Sequence, residues 1–129
     1  MAFAPTQPFV DDQVFTKLGT LTQSQADDYN FGIVKLDDEG IIQIYNQYCV
    51  DHFGGFRKED AVGKNYFTQV APCSNNFLFS GRFKRGVAGN DLDFEFDYCF
   101  TYKISPTNVK VRLYRDNQSQ TNWIFLTKV

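Results

Sequence analysis

The residue best placed to do chemistry in this chain is a cysteine that directly follows a proline. It closes the run Gly63-Lys64-Asn65-Tyr66-Phe67-Thr68-Gln69-Val70-Ala71-Pro72-Cys73. Pro72 fixes its own φ and drives Ala71 towards an extended conformation, so Cys73 is held on a stiffened loop. Ser74-Asn75-Asn76 follows, a cluster that caps helices and forms turns. A thiol on a rigid loop can be aimed, and the start of a helix favours the thiolate, the nucleophilic form. The bland alternative is a small buried hydrophobe. Two further cysteines, Cys49 and Cys99, and one histidine, His52, complete the soft and basic ligands. An odd number of cysteines without metal-like spacing reads as free thiols in a reducing cytoplasm. A single histidine leaves little for metal or acid–base chemistry, and no third group orients a Cys73–His52 pair.

A chain of 129 residues can bury one core. A formal charge of −2 without a basic block argues against nucleic acid as a partner. No apolar run is long enough to span a membrane, and the first residues lack the pattern of a secretory signal. Aromatic residues make up 17%, which points to a compact core or a ring-lined ligand pocket.

The elements that must position Cys73 can be read in order. Residues 1 to about 30 form an N-terminal segment distinct from the core over 31–129. Phe9, Val10, Val14, Phe15 and Leu18 are spaced for one helical face that Gly19 stops, and Leu21 with Ala26 marks a second short helical piece. This segment is expected to be an amphipathic cap on the outer face of a sheet. Residues 31–36 and 41–45 read as two strands joined by a turn at Asp37-Asp38-Glu39-Gly40. Asn46 ends the second strand and caps short helical turns over 47–63. The longest helix is predicted over 76–88, with Phe79, Phe83 and Val87 on one face and Arg82, Lys84 and Arg85 elsewhere.

The clearest alternation follows. Phe94, Phe96, Tyr98, Phe100 and Tyr102 share one strand face, and Glu95, Asp97, Cys99 and Thr101 take the other. After a turn at Ser105-Pro106-Thr107, residues 109–114 and 123–126 read as two more strands, separated by a polar loop over 116–122. The result is a single α+β domain: a five-stranded antiparallel sheet with helices on one face and an N-terminal helical cap on the other. That arrangement matches a PAS domain.

Several motifs in register resemble the photoactive yellow protein family. They are Phe31-Gly32 with Leu36-Asp37, Gln43-Ile44-Tyr45-Asn46, Gly63-Lys64-Asn65, Val70-Ala71-Pro72-Cys73, Gly86-Val87-Ala88, and Pro106-Thr107 before Val109-Lys110-Val111. They cover about 31–129 with almost constant spacing. A PAS fold alone carries many functions, so the cysteine run and the tyrosine ending the second strand are the specific part.

The resemblance implies a blue-light photoreceptor, not an enzyme, with p-coumaric acid (4-hydroxycinnamic acid) joined covalently to Cys73 as a thioester. It places Tyr45 as a hydrogen-bond donor to the phenolate, and Val34, Tyr66, Val70, Ala71, Pro72, Phe100, Tyr102 and Ile104 around the chromophore. It implies a protein that signals to a downstream protein through trans–cis isomerisation, chromophore protonation and release of the cap; the free thiols make it a cytoplasmic protein, and it is expected to be monomeric or weakly dimeric. The chain departs from the family at the second donor, where a glutamic acid is usual. Counting forward from Tyr45 reaches Cys49, and counting back from Gly63 reaches Val50. If this piece is helical, Cys49 shares a face with Tyr45, and it is the expected substitute, a weak S–H donor. The family's supporting hydroxyl residue falls on Phe53 or Gly54, and its shielding arginine on Phe56, next to Arg57. Without the acid, protonation is expected from water or through Cys49, with a weaker or slower structural response. A chromophore-free PAS interaction or ligand-binding module is the alternative.

Overall fold

A computed structural model describes residues 10–53, 56–101 and 107–129. The order is α1 (Asp12–Phe15), a 3-10 turn (Leu18–Thr20), α2 (Gln23–Ala26), β1 (Gly32–Leu36), β2 (Ile42–Tyr45), α3 (Gln47–His52) and α4 (Lys58–Ala61). A π-helical turn (Tyr66–Val70), a 3-10 turn (Pro72–Ser74), α5 (Ser80–Ala88), β3 (Asp93–Phe100), β4 (Thr107–Asp116) and β5 (Thr121–Lys128) complete it. The five strands form one antiparallel sheet in the order β2-β1-β5-β4-β3.

Strand alternation sends side chains to two separate cores. On one face Val34, Leu36, Tyr45, Val111, Leu113 and Ile124 pack with α3, α5 and the Cys73 loop. On the other, Ile33, Ile44, Trp123 and Phe125 are covered by Val10, Val14, Leu18, Leu21 and Ala26. The expected cap over the outer face is therefore present from residue 10 onward. It is more broken than the spacing predicts. Asp11 caps α1 by accepting from the Gln13 N–H, the helix ends at Phe15, and Leu18 sits in a 3-10 turn. Phe9 lies outside the described residues. In α2, Thr22 and Gln25 form a reciprocal capping box.

Asn46 ties cap to sheet. It is fully buried; its Oδ1 accepts from the N–H groups of Ile33 (2.9 Å) and Cys49 (3.3 Å). Its Nδ2 donates to the carbonyls of Ala26 (2.8 Å) and Phe31 (2.9 Å). One side chain thus caps α3 and closes the loop after α2.

Two predicted boundaries move. The long helix begins at Ser80, not near Asn76. The reason is the Asn76 side chain, whose Oδ1 accepts the Phe79 N–H at 3.0 Å, while its carbonyl accepts from Ser80 Oγ and the Gly81 N–H. Such local bonds compete with a helical turn. The polar loop over 116–122 contracts to a turn at 117–120, where Gln120 takes φ +56°. At the other hairpin Gly40 has φ +90°, the backbone state that makes glycine useful there.

The hairpin turn is locked from below. Arg115, with its side chain only 4% exposed, donates to Asp38 Oδ1 (2.9 Å), Asn122 Oδ1 (2.7 Å) and Asn90 Oδ1 (2.6 Å). Hydrogen bonds from Asn122 and Arg115, with the charge of Arg115, hold the Asp38 carboxyl below the usual carboxylate range. A depressed folded pKa contributes stability that is present above the unfolded value of about 4 and lost as pH falls through the folded one. Thermal melts should therefore lose stability on acidification below about pH 4. Asp38→Asn should flatten that part of the profile.

Candidate functional site

The Cys73 loop is built by short-range bonds. Asn65 Oδ1 accepts from the N–H groups of Phe67 (2.9 Å) and Thr68 (3.1 Å), which starts the π-helical turn. The Ala71 N–H closes it on the Tyr66 carbonyl at 2.7 Å. Ala71 then takes φ −130°, ψ 69°, outside the helical region, as the residue before a proline should. Pro72, exposed, occupies the first position of the 3-10 turn. Ser74 fastens this turn with Oγ and N–H both on the Ala71 carbonyl, at 2.6 and 2.9 Å.

Cys73 is half-buried in that turn. It does not abut a helix start, as the sequence leads one to expect, because residues 75–79 lie between it and α5. Its stiffness has another source. The Cys73 carbonyl accepts from the hydroxyl of Tyr98 at 2.6 Å and from Asn76 Nδ2 at 3.2 Å. Asn76 Nδ2 also donates to the Tyr98 hydroxyl.

Tyr45 closes β2, is 2% exposed, and pairs in register with Val34. Its backbone is held by the cap: Gln23 Nε2 donates to the Tyr45 carbonyl at 2.8 Å, and the Tyr45 N–H donates to Gln23 Oε1 at 3.2 Å. Val34, Tyr45, Cys49, Tyr66, Val70, Ala71 and Phe100 belong to one buried cluster, with Cys73 and Phe56 packed against it. Phe100 meets Phe53 edge to face at 5.6 Å. Tyr102 and Ile104 lie outside the described residues.

Cys49 lies on α3 with no exposed surface. A Cβ built on Gly32 would come within 2.9 Å of its sulfur, so the thiol fills the space that the glycine leaves on β1. Burial pushes its pKa strongly up, and backbone hydrogen bonding at Ile33 and Asn46 pulls weakly the other way. The thiol stays protonated: it can donate a hydrogen bond and cannot act as a thiolate. Val50, the other candidate from counting, is half-buried against the same cluster. His52 is exposed and lies against Tyr48 with the rings tilted by 35°, centroids 4.1 Å apart. Arg57 is also on the surface, paired with Asp60 at 2.9 Å.

The sequence reading left Tyr98 and Asn76 out of the site. Alternation along β3 does put Tyr98 on the same face as Phe100. No local signal says that its hydroxyl reaches the Cys73 carbonyl from a strand distant in sequence.

Among the described residues no helix is long and apolar enough to cross a membrane. No protein-family model matches the chain. A photoactive yellow protein from Rhodothalassium salexigens is 37% identical over 121 residues, covering 94% of this chain and 96% of that protein. Among solved structures, the photoactive yellow protein domain of the sensor histidine kinase Ppr from Rhodospirillum centenum superposes with a TM-score of 0.81. It is 32% identical and covers 88% of this chain and 99% of that one. The PAS domain of an HTR-like protein from Haloarcula marismortui, at 16% identity and a TM-score of 0.59, shares the fold alone, over 92% of this chain and 99% of its own. With a PAS sheet, a cysteine in a proline-stiffened turn and relatives of this similarity along nearly its whole length, the chain belongs to the photoactive yellow protein family and is a photoreceptor of that type.

Proposed function

We propose that this chain is a blue-light receptor that carries p-coumaric acid as a thioester on Cys73. The observation that carries the reading is the half-buried thiol on a turn fixed at Pro72 and Ser74, packed against the cluster that holds Tyr45. When bound, the pigment supplies visible absorption and a double bond that isomerises in light. The remaining work falls to the protein. Cys73 anchors one end, and its backbone N–H, which none of the hydrogen bonds described above uses, is the donor for the thioester carbonyl. Tyr45 is the donor at the phenolate end. A phenol ionises near pH ~10 in water and burial raises that value, so an ionised phenol inside the protein needs such donors. Phe100, Tyr66 and Val70 exclude water from between the two ends.

Cys49 takes the place of the missing carboxylic acid as a hydrogen-bond donor, not as an acid. What supports this is its burial, which makes the thiol hold its proton more tightly than a phenol does. Protons for the phenolate end therefore come from solvent. Gln23 and Asn46 connect this end to the cap, because they bond both the Tyr45–Asn46 corner and α2. With no buried carboxylate left behind after illumination, one driving force for releasing the cap is missing and the structural response is smaller.

The test is direct. Purified protein treated with an activated p-coumaroyl ester should gain one coumaroyl mass and a visible band that bleaches in blue light and returns in darkness. Protein that stays colourless and unmodified overturns the proposal in favour of a chromophore-free PAS module. Cys49→Ala should shift the band to longer wavelength, since fewer donors leave the phenolate charge less localised. An unshifted band would take Cys49 out of the pocket.

A further inference from the structure

Pro72 restrains Cys73 from its N-terminal side only. On the other side the Cys73 carbonyl is gripped by Tyr98, from outside its own loop, and by Asn76, three residues on. We propose that Tyr98 is the positioning residue for the pigment-bearing cysteine, acting with Asn76 as a clamp on that carbonyl. This rests on the reading of Cys73 as the attachment point.

The geometry has three parts. The Tyr98 hydroxyl donates to the carbonyl at 2.6 Å, at the short end for O–H···O bonds. Its ring is fixed edge to face against Phe79 (5.2 Å, 85°) and Phe96 (6.0 Å, 88°), so the hydroxyl cannot follow a moving carbonyl. Asn76 donates to both the carbonyl and the hydroxyl. Asn76 is itself held by the Phe79 N–H on its side chain and by Ser80 Oγ and the Gly81 N–H on its own carbonyl. The clamp thus joins the cysteine to β3 through Tyr98 and to the start of α5 through Asn76.

A cysteine held this way cannot relax when the group on its sulfur changes shape. The strain stays at the site and favours return to the dark form. Freed from the clamp, the loop yields, the light-induced state is better accommodated, and return slows. Net contributions of single hydrogen bonds put the expected change at roughly fivefold in rate for either partner.

The experiment uses the full chain loaded with p-coumaroyl ester and follows dark recovery after a blue flash. Tyr98→Phe keeps the ring and deletes the hydroxyl; it should leave the dark band in place and slow recovery by roughly fivefold. Asn76→Ser should slow it in the same direction. Because the two act as one unit, the double variant should be little slower than the slower single variant. A purely structural role would lower thermal stability without this coupling in rate. Tyr98→Phe recovering at the parental rate, or a double variant whose effects simply multiply, overturns the clamp. A parent that takes up no pigment overturns the attachment reading along with it. A parent that bleaches and recovers beside an unchanged Tyr98→Phe overturns the clamp alone.

Discussion

Cys73→Ala is expected to gain no visible colour when treated with activated p-coumarate, while Cys49→Ala and Cys99→Ala still label and colour. The three thiols differ in what surrounds them. Cys49 is sealed against β1, and its burial suppresses the thiolate that must attack the ester. Cys99 is half-buried and so is open to reagent. It lies on β3 between Tyr98 and Phe100, however, and strand alternation turns it to the opposite side of the sheet from the ring cluster. An adduct there would place the pigment in water, with no donor for its phenolate and no protein-shifted band. Cys73 combines access with a wall of aromatic side chains. The loss of colour in Cys73→Ala should therefore be complete, whatever mass Cys99 takes up. Mass spectrometry of intact protein, read beside the absorption spectrum, separates colour from mere labelling. A coloured Cys73→Ala protein sinks the assignment.

Phe79→Ala should produce the largest loss of stability among single side-chain truncations near the site, about 3–5 kcal/mol. Phe79 has no exposed surface and stands at the centre of the aromatic cluster. Ring centroids of Phe96, Phe67, Tyr66 and Phe100 lie 5.3, 5.8, 6.3 and 6.4 Å away, besides Tyr98. Several approach edge to face, a geometry that adds to the energy of burial. Truncation removes the ring and leaves a cavity walled by β3 and the π-helical turn, which limits collapse. Phe79→Leu should recover part of the loss. Urea denaturation, with the midpoint and slope both recorded, measures this directly. An Ala variant within about 1 kcal/mol of the parent would mean that the cluster repacks freely.

Much of this fold is legible in the sequence because its signals are local and periodic. The aromatic alternation of 94–100 identifies β3 and its inner face without any structural knowledge. Asp37 to Gly40 announces a hairpin, and Asn46 announces a cap. The boundaries that moved were set by single side chains choosing among several local partners: Asn76 bonded Phe79 and thereby delayed α5. The candidate site divides in the same way. Cys73 was visible because Pro72 precedes it, and Tyr45 because it ends a strand in a family-like register. Tyr98 was visible only as one of several rings, because its role depends on where a loop distant in sequence comes to rest. The protonated state of Cys49 is likewise a property of burial, which spacing does not encode.

The amide of Gln23 does for the last residue of β2 what a sixth strand would do. It supplies a donor and an acceptor to the two main-chain groups that the sheet margin would otherwise present to water. Detaching α2 is consequently not simple fraying. It requires a discrete exchange of three hydrogen bonds for solvent, the two of Gln23 and that of Asn46 on the Ala26 carbonyl, at a cost of about 2–4 kcal/mol, before any apolar surface is uncovered. That exchange is a threshold: small displacements of the tyrosine corner are absorbed, and only a disturbance large enough to break all three bonds propagates outward.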